Sequence, residues 1–425
     1  MPFSFATSGW LLGVPQDPLW TDKRSPKAWA MSSINKTVGT APVDKSYGMM
    51  SDRRTWVIGW AEDDSTAGAH CCACWDVKLF AERMISNAVD AARYGCEGMM
   101  AIHWRTAAIA PTITALAQAS WRTDIATAPV DMQRFWSDWG RGMFGGEAGA
   151  EAGRLFQKFD GCRRGIGDLI NGGSHTTDAM ISEYFAPLAA LEALRPRIQG
   201  AGNLERYDYW LNLLRASKLR VQTWLQAQRL IAKLKEIQAL PDAKEKPLQV
   251  RKEILPLRLA IARSYEELIA TLVASAKTAG DIGTITSIES GNRHRIVTGQ
   301  DASIAKLIGE PLPADASIRT AYRGEPRIFV SAPRTLANIG EPQEIRAFVL
   351  SEAPCQGINL CWRVLGTDRF EKLQASHRAR QAYRVSMPAQ SQGCVEYYLE
   401  AVLKDGRTLC WPITAPGINQ TVLSW

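Results

Sequence analysis

Between Thr55 and Trp104 the chain reads strand, helix, strand, and this pattern restricts the architecture more than any other stretch. TWVIGWA (Thr55 to Ala61) and GMMAIHW (Gly98 to Trp104) are short apolar runs of the kind that form buried strands. Between them, AERMISNAVDAARY (Ala81 to Tyr94) sets Met84, Ile85, Ala88, Val89 and Ala92 on one 3.6-residue stripe, and Gly95 follows as a C-terminal stop. A strand pair joined through such a crossover must be parallel, and a parallel sheet must be covered by helices. Phe3 to Gly13 is predicted as an earlier strand of the same sheet, and Thr112 to Ala119 as a further helix.

From about residue 130 to 280 long helices with polar faces replace this pattern. Leu211 to Gln238 keeps Leu214, Leu219, Val221, Leu225, Leu230 and Ile231 near one broad face, as expected for a helical bundle. The glycine-rich Trp139 to Gly153 is predicted as a joint between helices, and Pro241 to Pro247 as a loop. After Pro311 short strand-like runs return: Arg327 to Val330, Glu344 to Leu350, Ile358 to Val364, Ala382 to Val385, Val395 to Leu403 and Thr408 to Ile413. Lys404-Asp405-Gly406 is a hairpin signal between the last two. Short strands at this density predict an immunoglobulin-like β-sandwich.

Composition removes several function classes. No run of 18 apolar residues exists, so a membrane partner is not expected, and Met1 to Gly13 has neither a basic start nor a cleavage site. The net charge of +7 is spread among acidic neighbours rather than gathered in a block, which argues against a nucleic-acid partner. Nine cysteines form no recognisable disulfide framework. His70, Cys71, Cys72 and Cys74 lie close together but lack a second ligand pair at a distance, so no metal is expected. Serine-hydrolase, zincin, phosphate-loop and dinucleotide motifs are absent, and no cofactor is expected.

The residues able to do chemistry gather after the strands. Thr55 to Ala61 runs into Glu62-Asp63-Asp64, directly after Trp60. Carboxylates at the C-terminal end of a parallel strand can protonate a leaving oxygen, act as base or nucleophile, or bind sugar hydroxyls. An aromatic plate beside them suits a sugar ring, although a solvated acidic turn would give the same letters. The next strand ends in His103-Trp104-Arg105, where strand alternation puts His103 and Arg105 on one side and Trp104 on the other. Arg105 can ion-pair with Asp63 or Asp64, or clamp a substrate carboxylate. Trp10 is a third aromatic near the same mouth or, equally, core filling. Eight of the 15 tryptophans fall in the first 121 positions.

The series SGWLLG, RRTWVIGWAEDD, GCEGMMAIHWRT and FWSDWGRGMFG, followed by a helical stretch with YDYWLNLLR, resembles the C-terminal part of TIM-barrel glycoside hydrolases of the β-N-acetylhexosaminidase-like or α-glucuronidase-like groups. EYYLEAVLKDGRTLCWPITAPGINQTV resembles the sandwich modules attached to large carbohydrate enzymes. The resemblance implies a partial (β/α) barrel over 1–128, a helical bundle over 129–310 and a β-sandwich over 311–425. It further implies that Trp60, Glu62, Asp63, His103, Trp104 and Arg105 line a sugar-binding subsite. Together with the strand-end reading, the expectation is Glu62 and Asp63 as catalytic carboxylates, and Trp10, Trp60, Asp64, His103, Trp104 and Arg105 as substrate-binding residues. The expected partner is an oligosaccharide or polysaccharide, in a secreted or periplasmic setting if residues precede this chain. A whole barrel takes about 250 residues and eight strands, against the three strand-helix units read here. The expectation is therefore a fragment, or a barrel completed by another chain; a small α/β layer packed on the bundle, or a non-catalytic glycan-binding or scaffold protein, would fit the same letters.

Overall fold

The computed structural model describes residues 5–7, 9, 12–34, 41–61, 79–103, 107–122, 124–128, 130–161, 176–391 and 393–425. It is a mixed α/β protein of two compact units, Met1–Gln199 and Gly200–Trp425. The helical stretch expected over 129–310 is thus shared between the units. Among the described residues no helix is long and apolar enough to cross a membrane.

The first unit holds a three-stranded parallel sheet in the order β1 (Met31–Ile34), β2 (Thr55–Trp60), β3 (Gly98–Ile102). Met31 pairs with Thr55, and Trp56 to Trp60 pair with Gly98 to Ile102. Of the strand expected at Phe3 to Gly13, the described residues 5–7, 9, 12 and 13 form none. Phe5, Thr7 and Gly9 flank β1: Ala30 N–H donates to Phe5 O and Thr7 N–H to Ala30 O, both at 2.9 Å, and Ile34 N–H donates to Gly9 O at 2.8 Å. The first strand among the described residues, MSSI, hides its hydrophobic pattern behind two serines. Both are buried, and Ser32 is satisfied by the Thr7 main chain and hydroxyl.

Among the described residues the α-helices of this unit are α1 (Trp20–Arg24), α2 (Ala81–Arg93), α3 (Ala110–Ser120), α4 (Met132–Phe144), α5 (Gly146–Phe156), α6 (Asp178–Tyr184) and α7 (Ala186–Leu194). In α2 Met84, Ile85 and Ala88 of the stripe read from the sequence are buried, Val89 is half-buried and Ala92 is exposed, its place on the covered face being taken by Ala91. Gly95 follows at φ +69° with its N–H on Ala92 O, closing the helix end as a glycine can. The sheet tolerates no side chain at Gly98, where a Cβ would sit 2.7 Å from the Trp56 ring. Arg53, at the start of β2, is fully buried. Its Nε donates to Asp22 Oδ1 at 2.6 Å, and Nη1 and Nη2 reach the carbonyls of Asp22, Ser25, Pro26 and Trp29 at 2.8–3.1 Å.

The glycine-rich segment is helix, not joint, over most of its length. Only Gly145 and Gly146, both at positive φ, make the turn between α4 and α5. Gly140, Gly149 and Gly153 face each other across the hairpin, and a Cβ at Gly153 would run into the Trp136 carbonyl oxygen. This backbone-to-backbone approach seats Trp136, Trp139, Phe144 and Phe156, whose rings meet largely edge to face at about 5.4 to 5.8 Å.

The second unit pairs α8 (Ala201–Gln238) with α10 (Leu255–Ser275), which follows the short α9 (Glu245–Gln249). It continues through α11 (Ala279–Asn292) and α12 (Asp301–Ile308). Of the face read from the sequence, Leu214, Val221, Leu225 and Leu230 are buried. Two sheets then share one core. The smaller has the order β4 (Arg327–Val330), β6 (Gln343–Leu350), β10 (Ala382–Met387), β9 (Ser376–Ala379). The larger has the order β5 (Leu336–Ala337), β13 (Gln420–Ser424), β11 (Gly393–Leu403), β7 (Cys355–Val364), β8 (Glu371–Gln374), with β12 (Thr408–Trp411) also on β11. Alternate residues of β6, Ile345, Ala347 and Val349, meet Ile358, Leu360, Val395, Tyr397 and Leu399 in that core. The expected hairpin closes at Gly406, which sits at φ +87°.

Two outcomes follow from this packing. Gly153→Ala should cost about 1–3 kcal/mol by overpacking the α4–α5 hairpin, whereas Gly142→Ala, which meets no atom within 4 Å, should be neutral or stabilising by up to ~1 kcal/mol; urea unfolding of the two variants checks the contrast. In the second unit, burial would raise the Glu266 carboxyl, but Arg319 and Arg263 outweigh it and hold it at about 2, below its ordinary 4.5. The folded state therefore gains from this ionised carboxylate above its unfolded value and loses the gain as pH falls toward about 2. Thermal melts from pH 5 downward should show a smaller acid-induced loss in Glu266→Gln than in the parent.

Candidate functional site

The C-terminal edge of the parallel sheet is where the sequence puts its chemistry, and the register decides which residues meet there. Trp60, the last residue of β2, pairs with Ile102, the last of β3, and Ala61 N–H donates to Ile102 O at 3.0 Å. His103 therefore leaves β3 beside the point where the chain leaves β2. The two side chains differ in access: the Trp60 indole is 5% exposed, within the core, while His103 is exposed. Trp10, Glu62, Asp63, Asp64, Trp104 and Arg105 lie outside the described residues, as do His70, Cys71, Cys72 and Cys74.

Two helix starts stand at the same edge, because α2 and α3 each begin after a parallel strand has ended. Pro111 near the start of α3 gives the helix its first turn without needing an N–H, and buried Thr112 accepts a hydrogen bond from Phe80 N–H at 3.1 Å. The start of α2 is held by a residue from far along the chain. Asp160 takes Ala81 N–H on Oδ1 at 2.8 Å and Glu82 N–H on Oδ2 at 3.0 Å. Leu79 and Asp160 also form a parallel bridge, with Gly161 N–H on Leu79 O at 2.9 Å. Burial pushes the Asp160 carboxyl above its ordinary range, against the pull of these two donors.

A buried carboxyl with a raised pKa at a strand-end face is a recurrent form of catalytic acid. Here, however, each oxygen of Asp160 is engaged by a backbone donor, so its work is to satisfy the open first turn of α2. Neither Asp160 nor Thr112 was among the residues read as functional. Asp160 sits in KFDGC, which reads as an ordinary turn, and nothing local links it to a helix 78 residues earlier. Among the described residues no group of three or more His, Cys, Asp or Glu side chains stands close enough to hold a metal ion.

No family model and no curated protein matches the chain. Among solved structures, an engineered protein whose crystal structure was determined at 1.98 Å aligns with 61% of this chain and 85% of its own, at 9% identity and a TM-score of 0.21. A superposition that loose carries no argument about fold or activity.

The capping geometry sets an expected outcome. Asp160→Ala should destabilise the first unit by about 1–2 kcal/mol, because two first-turn N–H groups lose their acceptor, and Asp160→Asn should lose less. Hydrogen exchange at the Ala81 and Glu82 amides should accelerate in Asp160→Ala before exchange in β2 does.

Proposed function

We propose that this chain is a carbohydrate-active protein, part of a glycoside hydrolase in which residues 1–128 contribute strands to a (β/α) barrel and the sandwich serves as an immunoglobulin-like accessory module. The observation that carries the reading is strand order. Residues 5–7, β1, β2 and β3 lie side by side in sequence order, all running the same way. Doubly wound sheets reverse their order at a switch point, whereas singly wound barrels do not. In a barrel the loops after the strands build the active site, which is where Glu62, Asp63 and Asp64 follow β2 and where His103, Trp104 and Arg105 follow β3.

In this reading Glu62 or Asp63 supplies a carboxylate to the glycosidic bond, and His103 and Arg105 hold hydroxyl or carboxylate groups of the sugar. Trp60, being buried, offers a sugar no exposed ring face. Two carboxylates must flank the scissile bond, and a barrel takes its second from another strand. The 425-residue chain is accordingly expected to bind sugar better than it cleaves it. The alternative is a glycan-binding or scaffold protein using the same edge without turnover.

The test uses the full chain with aryl glycosides of N-acetylhexosamines and uronic acids, alongside a glycan-binding panel. Glycan binding that His103→Ala weakens roughly tenfold, with little turnover, is the expected result. Turnover abolished by Glu62→Gln would establish a complete catalytic site, binding with no trace of turnover would favour the alternative, and failure to bind any glycan would remove both readings.

A further inference from the structure

The second unit contains a cavity of about 640 Å³, well within the size range of small-molecule sites, to which nothing above assigns a role. It opens between α10 and α11, and the segment 318–323 closes one side. Its floor is aliphatic: Ile269 and Val273 from α10, Ile285 from α11, Ile318, and Leu350 from the end of β6. The wall is fastened rather than loose. Glu266 accepts from Arg263 Nη1 at 2.6 Å, from Arg319 Nε at 2.7 Å and from the Arg319 backbone N–H at 2.6 Å, and so staples the 318–323 segment to α10.

That staple consumes two of the four arginines around the cavity. The other two, Arg293 and Arg323, are not held by any ion pair or side-chain hydrogen bond among the described residues. Two carboxylates, Glu267 and Glu289, also line the space and balance Arg293 and Arg323 in charge, while the one positive charge in excess among the lining residues belongs to the staple. A preformed apolar floor with two uncommitted guanidinium forks at its rim has a specific chemical complement. The forks match a carboxylate in geometry and charge, and the floor rewards a hydrocarbon body.

We propose that this cavity binds a small amphipathic carboxylate, an aliphatic chain or ring carrying one anionic head, with the head on Arg293 and Arg323 and the body on Ile269, Val273, Ile285 and Leu350. A sugar acid fits less well. Among the described lining residues the one aromatic ring is Tyr322, whose hydroxyl already donates to Glu325 O at 2.6 Å, so a stacking plate with free polar neighbours is not on offer. The site is independent of the proposed sugar-binding edge, being built entirely within the second unit, and its fate does not depend on that reading.

The experiment titrates the full chain with decanoate, below its aggregation concentration, by calorimetry. Decanol, decylammonium and glucuronate are the comparison ligands, and anilinonaphthalene sulfonate is the fluorescent competitor. Decanoate is expected to bind at least roughly tenfold more tightly than each of the three, since a charge-assisted pair of hydrogen bonds and a buried alkyl chain are each worth about that factor or more. The Arg293→Ala/Arg323→Ala double variant should lose about tenfold or more for decanoate while leaving decanol unchanged. Ala270→Phe, which adds bulk at an exposed lining position, should reduce both. Far-UV circular dichroism and melting temperature confirm that each variant folds; if the double variant does not, Arg323→Gln alone, at an exposed position, takes its place with the same expectation. Equal affinity for decanoate and decylammonium, glucuronate binding as tightly as decanoate, or decanoate affinity unaffected by loss of the arginines would each overturn the proposal.

Discussion

The first unit depends on β2, which has a hydrogen-bonded parallel strand on each side and so no exposed backbone edge. Every element around it answers to that placement. Parallel neighbours demand crossovers, the crossovers demand helices on the sheet, and close cover demands small residues where helix and sheet touch. Gly59 gives way to Asn87 and Met84 of α2, and Gly98 gives way to the Trp56 ring. At the opposite end Arg53 fastens the loop from Asp22 to Trp29 beneath the strand, spending nearly all of a guanidinium's donors on one carboxylate and four carbonyls. The strand is thus anchored at its start and free to present loops at its end.

How much of this the sequence discloses follows from how local the cause is. Most of the α2 stripe, its Gly95 stop, β2, β3, β4, β6, β7, β10, β11 and β12 announce themselves through period and turn residues within a short window, and they stand within a few residues of where the pattern puts them. Elements whose cause lies elsewhere stay hidden. MSSI becomes a strand because Thr7 satisfies Ser32, 25 residues away. EKLQ and SHRA become strands because β7 and β10 offer an edge, although neither carries a core-facing alternation of its own. The glycines between Trp139 and Gly153 misled in the other direction. Read one at a time they are breakers, whereas at positions 140, 149 and 153 their missing side chains let two helices touch.

The same distinction governs the site. Strand ends are legible, so the sequence discloses where β2 and β3 stop, but not the access of Trp60 and His103 to solvent. Whether an indole at a strand end faces out or in is decided by the helices that cover it, and the sequence of TWVIGW is equally compatible with both. The Asp160 cap illustrates the limit most clearly, since a single carboxylate spans a separation of 78 residues to hold the start of α2. No window long enough to contain both partners retains a local signal.

The arginines give a second view of the modest positive charge. Several are internal fasteners: Arg53 within the first unit, Arg258 with its bidentate grip on Asp301 at 2.7 and 2.8 Å, and Arg327, which donates to the carbonyls of Ala274 and Ala276 where α10 ends. Arg53 with Asp22 and Arg258 with Asp301 are neutral pairs that add nothing to the net charge of +7. What remains available is local. A guanidinium that the fold does not consume has been kept at the full cost of a long side chain and a hydrophilic head, and when two of them stand at the rim of one aliphatic cavity, the arrangement suits a single anionic group far better than an extended phosphate backbone.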